Sequence, residues 1–121
     1  MPDPVVPVIP GVVTYDQFKQ MDLRVGLIAA VEDHPNATKL YILRVDLGEG
    51  EGQLRQLVAG LRPYYPDKAA LVGKRIIVVA NLAPALLRGV ESRGMLLAAQ
   101  SGERVVILTT DEPMPPGSKI L

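Results

Sequence analysis

Apolar and polar or small residues alternate for about ten positions after Met21, and this alternation constrains the fold more than any other feature. A period of two is the signature of an extended strand with one buried face. Gly26 lies inside the run and predicts a bend or bulge of the kind that curls a sheet into a barrel. The residues expected on one face of this strand are Leu23, Val25, Leu27, Ala29 and Val31.

Further segments extend this pattern along the chain. A turn at 34–37 is followed by a strand whose buried face carries Tyr41, Leu43, Val45 and Leu47. Gly48 begins a glycine-rich loop, and a hairpin turn is expected at Ser101-Gly102. The other predicted elements are a strand at 54–59, a helix at 63–71, a strand at 74–80, an irregular excursion at 81–93, and strands at 94–100 and 104–109.

The order of these elements excludes some architectures. Strands do not alternate with helices, so a parallel α/β sheet is not expected. Three strands, a short helix and two or more further strands is the order of the OB-fold, a five-stranded Greek-key barrel. We therefore predict an all-β OB-fold with short helices and with N- and C-terminal extensions.

The flanking segments are expected to be separate from the barrel. Residues 1–13 contain four prolines and predict an extended arm whose apolar residues pack on another surface. Thr14 and Gln17 have the spacing of a capping box and predict a short helix over 15–21. Residues 14–121 are expected to form one domain, ending in a proline-rich tail that adds an edge strand at 118–121.

Composition limits the functional classes. The chain of 121 residues contains no Cys, which excludes disulfides and thiolate chemistry. The start has an acid at Asp3 and four prolines, where a signal peptide needs basic residues and then a helical core. The longest apolar stretch, at 76–87, is too short for a membrane span. We expect a cytoplasmic protein without a membrane partner. The single histidine, His34, precedes a proline in a turn and indicates a local hydrogen bond, so we expect no catalytic residues, no metal and no cofactor.

Charge is distributed unevenly although the net charge is zero. Residues 1–53 hold four bases and eight acids, whereas residues 54–104 hold eight bases and three acids. Local charge on one face decides whether a nucleic acid binds. A scattered, solvated surface is the alternative. The residues we predict to contact RNA are Asn36, Lys39, Arg55, Arg75, Asn81, Arg88, Ser92, Arg93 and Met95.

Some of these residues also have purely structural interpretations. Asn81 ends the most apolar strand and is expected to cap backbone groups there. Ser92 could serve only as a turn or cap residue, and Met95 could be buried at the start of a strand. Arg55, Arg75, Arg88 and Arg93 support RNA binding only if they share one side of the barrel.

Several short motifs occur together in a fixed order. They are DLRVG at 22–26, HPNATKL at 34–40, VDLG at 45–48, AGL at 59–61, LVGK at 71–74, NLAP at 81–84 and GVESRGM at 89–95. In this order they resemble the tRNA-binding domain of the methionyl-tRNA synthetase C-terminal type, which also occurs as a stand-alone protein. The resemblance implies an OB-fold, a symmetric homodimer, and non-catalytic binding of tRNA by shape.

The resemblance also assigns roles to individual residues. It implies that Ser92 and Met95 contact tRNA. Lys39 and Asn81 occupy the positions of the Lys and the Asn in two of the family's motifs, so the resemblance includes them among the site residues. The sequence departs from the family pattern in having Thr38 in place of Asp, Ala59 in place of Ser and Ala83 in place of Lys. The last two changes remove a hydroxyl and a positive charge from the expected binding face.

Three functional hypotheses follow. The first is a dimeric, structure-specific tRNA-binding protein, in which the apolar N-terminal arm and a C-terminal dimerisation segment cover each other across the two-fold axis. The second is a peptide-binding chaperone, because a branch of the same family assists protein secretion. The third is a subunit that docks on a methionyl-tRNA synthetase and raises its affinity for tRNA.

Overall fold

The computed structural model describes residues 8–121, so residues 1–7 of the predicted arm lie outside the described part. Residues 8–13 are exposed and lead into the helix α1 (Tyr15–Lys19). The Thr14 hydroxyl accepts a hydrogen bond from the Gln17 N–H at 3.1 Å, and the Gln17 side chain accepts one from the Thr14 N–H at 2.9 Å. The predicted capping box is therefore confirmed.

Nine strands follow in the described chain. Five of them form an antiparallel sheet in the order β3-β2-β1-β4-β7, and the other four form two separate hairpins, β5-β6 and β8-β9. The strands are β1 (Leu23–Asp33), β2 (Tyr41–Asp46), β3 (Arg55–Ala59), β4 (Arg75–Val79), β5 (Ala85–Leu87), β6 (Val90–Ser92), β7 (Met95–Leu96), β8 (Ala98–Ser101) and β9 (Arg104–Ile107).

The five-stranded sheet curls into a nearly closed barrel, which confirms the predicted OB-like fold. The gap between β3 and β7 is bridged by the segment just before β7, where the Arg93 N–H donates to the Gln56 carbonyl at 2.9 Å and the Gln56 side-chain amide donates to the Glu91 carbonyl at 2.7 Å. The curled sheet encloses the core. The predicted inward face of β2 is confirmed, since Tyr41, Leu43 and Val45 all lie in this core.

Strand β1 contains the bend, at a position different from the one predicted. Its pairing register with β2 shifts between Ile28 and Ala30, so that Ile28 is buried and Ala29 is exposed. Ala29 was expected on the same face as Leu23 and Val25, but it is the extra residue of the bulge and is exposed, whereas Val31 beyond the bulge packs against the core. Gly26 instead allows close packing, since a Cβ added there would lie 2.6 Å from Val45 Cγ1.

The helix predicted at 63–71 is much shorter in the structure. Only one 3₁₀ turn, Lys68–Leu71, forms, and the Asp67 carboxylate caps it by accepting from the Ala69 N–H at 3.2 Å. Pro63 and Pro66 explain the difference, because proline lacks an N–H and disfavours helical backbone in the residue before it.

Residues 81–93, predicted to be irregular, contain the β5-β6 hairpin. Its two-residue connection is Arg88-Gly89, with φ of 53° and 87°. Positive φ at both positions is the requirement of the tight turns that connect antiparallel strands. The strand predicted at 94–100 is also divided, into β7 and β8.

The tail returns to the barrel and pairs with β1. Arg24 and Lys119 form an isolated antiparallel bridge, flanked by hydrogen bonds from Val25 N–H to the Ser118 carbonyl and from Ile120 N–H to the Leu23 carbonyl, both 2.9 Å. The predicted edge strand is thus present as a short bridge. Among residues 8–121, no helix combines the length and hydropathy required to cross a bilayer.

Candidate nucleic-acid interface

A groove of about 570 Å³ lies beside the place where the barrel edges meet. Its wall combines charged, amide and apolar side chains and contains no aromatic residue. The lining residues are Glu49, Gln53, Leu54, Arg55, Gln56, Ala80, Leu82, Pro84, Glu91 and Arg93.

Arg55 is held in this groove by several partners. Its guanidinium donates to both carboxylate oxygens of Glu49, at 3.0 and 2.5 Å, and to the Ala80 carbonyl at 2.5 Å. It also reaches the Arg93 carbonyl at 3.3 Å. These bonds link the loop after β2 to the end of β4, so Arg55 has a structural role in the groove.

Arg93 also has an acidic partner. Its guanidinium forms a hydrogen-bonded ion pair with the Glu91 carboxylate, and this bond raises the pKa of Arg93. Glu91 and Arg93 are two residues apart. Both arginines of the groove are therefore balanced by glutamates, and the groove carries little net charge.

The 34–40 turn carries two of the predicted RNA-contact residues. Asn36 and Lys39 are exposed in this turn, between β1 and β2. The Asn36 amide donates to the Arg88 carbonyl at 3.5 Å, which places the turn against the β5-β6 hairpin. Within the described residues, neither Lys39 nor Arg88 forms an ion pair.

His34 makes the second connection between this turn and the hairpin. Its ring is buried, with Nδ1 placed 3.0 Å from the Asn36 backbone nitrogen and Nε2 placed 2.9 Å from the Leu87 carbonyl oxygen. The expectation of a local hydrogen-bonding role is confirmed by the first of these bonds. The hydrogen bond to Leu87 spans 53 residues of sequence, so it could not be predicted from the sequence of the turn.

Ser92 does not present its hydroxyl on the surface. The residue is 5% exposed, and its oxygen accepts from the Val58 N–H at 3.0 Å and donates to the Gly94 carbonyl at 2.9 Å. A hydroxyl with both partners inside the protein has little to offer an RNA phosphate. These bonds give Ser92 a positioning role in the barrel, and its contact with tRNA stays a prediction.

Met95 is exposed, at 47% of its surface, although it pairs with Val79 at the start of β7. The alternative of burial at a strand start is therefore wrong. Leu82 and Leu86 are likewise exposed nearby in sequence, on the segment that follows β4 and on β5. An exposed, polarizable thioether is a surface on which a nucleobase or an apolar peptide side chain can lie.

Asn81 and Arg75 are not free for RNA in the way the sequence suggested. The Asn81 side chain accepts from the Asp22 N–H at 2.8 Å and donates to the Gln20 carbonyl at 2.7 Å, which confirms the expected backbone cap. Arg75 donates to the Met114 carbonyl at 2.8 Å and lines a separate cavity of about 410 Å³. Arg75 therefore lies outside the groove that Arg55 and Arg93 line.

Two contributors to this surface were missed by sequence reasoning. Glu49 and Glu91 neutralise the groove arginines, and the closeness of Glu91 and Arg93 in the sequence was a usable signal for their ion pair. The pairing of Glu49 with Arg55 depends on how the glycine-rich loop folds back. Among residues 8–121, no three His, Asp or Glu side chains cluster in a way that could hold a metal ion.

The chain is similar to known proteins over most of its length. Residues 23–119 match a family model described as "Putative tRNA binding domain". The methionine–tRNA ligase of Thermococcus kodakarensis is 52% identical over 108 residues, which are 89% of this chain and 14% of that protein. The methionine–tRNA ligase of Thermotoga maritima is 47% identical, over 89% of this chain and 16% of that protein. The chain thus spans about one seventh of the length of such relatives.

Solved structures of similar size share the fold. A MetRS-related protein from Pyrococcus horikoshii superposes with a TM-score of 0.82 at 32% identity, covering 91% of this chain and 98% of that one. The CsaA chaperone protein from Picrophilus torridus superposes with a TM-score of 0.80 at 33% identity, covering 91% and 100%. The family match confirms the resemblance inferred from the ordered motifs, and this chain belongs to the tRNA-binding domain family, a family of non-catalytic binding modules.

Proposed function

We propose that this chain binds tRNA without catalysing a reaction, and that it does so on the side of the barrel formed by the 34–40 turn, the β5-β6 hairpin and the adjoining groove. The observation that carries the proposal is the junction of the turn with the hairpin. Each of these two elements brings an exposed cation without an acidic partner among the described residues, Lys39 in the turn and Arg88 in the hairpin.

The composition of the surface favours recognition of the RNA backbone and shape. Single-strand binders use aromatic side chains as stacking platforms, and the groove wall has none. Lysine and arginine side chains bind phosphates, and these interactions fix position without reading sequence. Arg93 and Met95 flank the buried Gly94 and complete the proposed binding surface.

A homodimer is part of the proposal. Tyr15, Phe18 and Met21 expose apolar surface on and after α1, and Leu121 exposes more at the other end of the chain. These residues, with Lys19, Lys119 and Ile120, line one shallow cavity. An isologous contact with a second copy is the commonest way to cover such a surface.

Titration of tRNA binding against salt tests the proposal. Replacing Lys39 and Arg88 together with Ala should weaken binding, and it should reduce the slope of log K against log salt by about 0.7–0.9 for each phosphate that is no longer neutralised. The matched control replaces Lys74 and Arg104, which are exposed and form no ion pair in the described chain. Equal reductions of affinity in both double variants, or binding that ignores salt, would contradict the proposal. A sizing experiment on the same samples tests the dimer.

A peptide-binding chaperone is the second candidate function. Its support is the likeness to CsaA together with the groove wall, where Leu54, Leu82 and Pro84 stand beside neutralised arginines. Competition between unfolded peptides and labelled tRNA distinguishes the two functions. Displacement by peptides with stronger affinity than tRNA would favour the chaperone. Association with a methionyl-tRNA synthetase is a third possibility that co-purification tests.

A further inference from the structure

We propose that His34 is a positioning residue for RNA binding, because it locks the 34–40 turn onto the β5-β6 hairpin and so sets Lys39 and Arg88 in a fixed relation. The proposal rests on the proposed function. His34 itself is 4% exposed and is not expected to touch RNA.

The hydrogen bonds of the ring define its form. The Asn36 backbone nitrogen can only donate, so Nδ1 must carry the lone pair that accepts from it at 3.0 Å. The Leu87 carbonyl oxygen can only accept a hydrogen bond, so Nε2, which lies 2.9 Å from it, must carry the proton and donate. A single neutral tautomer therefore satisfies both partners, and each ring nitrogen serves a different element.

The backbone around His34 supports the same connection. The His34 N–H donates to the Leu40 carbonyl at 3.2 Å and closes the turn. Pro35 restricts His34 to extended backbone. The Asn36 amide reaches the Arg88 carbonyl at 3.5 Å. Two successive carbonyls of the hairpin, those of Leu87 and Arg88, are thus held by two residues of the turn.

The hairpin end held in this way has an unusual backbone conformation. Arg88 is the one non-glycine residue with positive φ, at 53°, in the described part of the chain. Left-handed backbone is unfavourable for such a residue and persists where neighbouring groups hold it. Bonds to the carbonyls of Leu87 and Arg88 hold both sides of this position. Releasing them would let the two cations move independently, and RNA binding would then have to order them.

Two substitutions separate the two bonds of the ring. His34→Asn keeps an oxygen near the position of Nδ1 for the Asn36 N–H but is too short to reach Leu87. His34→Gln places an amide N–H near the position of Nε2 and keeps the connection to Leu87. Each variant loses one of the two hydrogen bonds of the ring, so the two should have similar free energies of unfolding in urea. A difference between them in tRNA affinity therefore cannot come from a general loss of stability.

The affinity for tRNA should distinguish the variants. We expect His34→Asn to bind about 5–10-fold more weakly than the unmodified chain, with a salt slope reduced by about 0.7–0.9 because one phosphate is no longer neutralised. The affinity of His34→Gln for tRNA should remain within about twofold of that of the unmodified chain. In a chain that already carries Arg88→Ala, His34→Asn should add less than twofold, since coupled residues are not additive.

The outcomes separate this inference from the proposed function. Equal affinities and equal salt slopes for His34→Asn and His34→Gln, or full additivity with Arg88→Ala, would overturn the role of His34 while the unmodified chain still binds tRNA. Absence of salt-dependent tRNA binding by the unmodified chain would overturn both proposals. Weaker binding with a reduced salt slope, found only in His34→Asn, supports the inference.

Discussion

The Ser92 hydroxyl accepts a hydrogen bond from the Val58 N–H at 3.0 Å, and this bond joins β6 to β3 across 34 residues of sequence. The same hydroxyl donates to the Gly94 carbonyl at 2.9 Å. Ser92 thereby fixes the tight segment between β6 and β7 against the barrel edge. Arg93 and Met95, which flank Gly94, are both exposed as a consequence.

Replacing Ser92 with Ala should destabilise the fold. The change leaves the Val58 N–H buried without its acceptor, and an unsatisfied buried donor costs about 1–3 kcal/mol. We expect a decrease of that size in the free energy of unfolding measured with urea. Ser101→Ala is the control, because Ser101 is exposed on β8 and its removal should change stability by less than about 0.5 kcal/mol.

An unchanged unfolding free energy in Ser92→Ala, combined with weaker tRNA binding, would contradict this positioning role. That combination would require the hydroxyl to reach RNA directly. The measurement therefore decides between the tRNA contact implied by the family resemblance and the buried role.

Replacing Met95 should weaken tRNA binding without changing the free energy of unfolding. Its side chain is 47% exposed, and Met114 is 45% exposed on the C-terminal segment. Met95→Ala is expected to weaken tRNA binding by about 3–10-fold, because base–apolar interactions at such surfaces are worth about 1 kcal/mol. Met114→Ala is matched in chemistry and exposure and should bind tRNA like the unmodified chain. If both variants bind equally weakly, Met95 has no specific part in the interface.

The fold was largely predictable because its strongest signals are local. The alternation around Tyr41, Leu43 and Val45 identifies the inner face of β2 directly, and the capping box at Thr14 needs only four residues. The bulge at Ala29 was not predictable in position, because the register shift depends on how β1 pairs with β2. The β5-β6 hairpin was missed because Arg88-Gly89 is not one of the usual residue pairs of such turns.

The candidate site was less predictable, because its side chains are partnered across the barrel. The sequence marks Arg55 as a base but cannot show that Glu49 and the Ala80 carbonyl occupy its guanidinium. Burial of Ser92 likewise depends on closure of the barrel against β3. Lys39, by contrast, is exposed in the structure, as its sequence position suggested.

The ion pair of Asp22 with Arg24 should make a small contribution to acid stability. A hydrogen bond from the Arg24 guanidinium lowers the pKa of Asp22 below its ordinary value of 3.8. A depressed pKa stabilises the fold above the unfolded value, and this stabilisation disappears as pH falls through the folded value. Both side chains are partly exposed, so solvent screening limits the contribution to less than about 1 kcal/mol.

Asp22→Asn should therefore be less stable than the unmodified chain at about pH 7, and the difference should shrink as pH falls below the ordinary value of 3.8 and through the lower folded value. Urea unfolding at several pH values measures it. Asp111→Asn is the control, since Asp111 is exposed and forms no ion pair in the described residues. A stability difference for Asp22→Asn that stays constant with pH would exclude a contribution from the ionised pair.

Glu91 should limit the affinity of the groove for RNA. Its carboxylate holds the Arg93 guanidinium, so a phosphate must compete with it for that cation. Glu91→Gln removes the competing charge, and we expect tRNA binding at low salt to tighten by about 2–5-fold, the range typical of an exposed charge pair. The salt slope should steepen by about 0.7–0.9, equivalent to the neutralisation of one additional phosphate.

Glu103→Gln makes the same change in net charge at an exposed position between β8 and β9, away from the groove. If both variants tighten binding equally, the effect comes from overall charge, and Glu91 has no local role. If Glu91→Gln weakens binding, the glutamate orients Arg93 toward RNA and does not compete for it. Tighter binding and a steeper slope in Glu91→Gln alone would show that Arg93 is available to phosphate once its partner is removed, which places the groove within the RNA-binding surface.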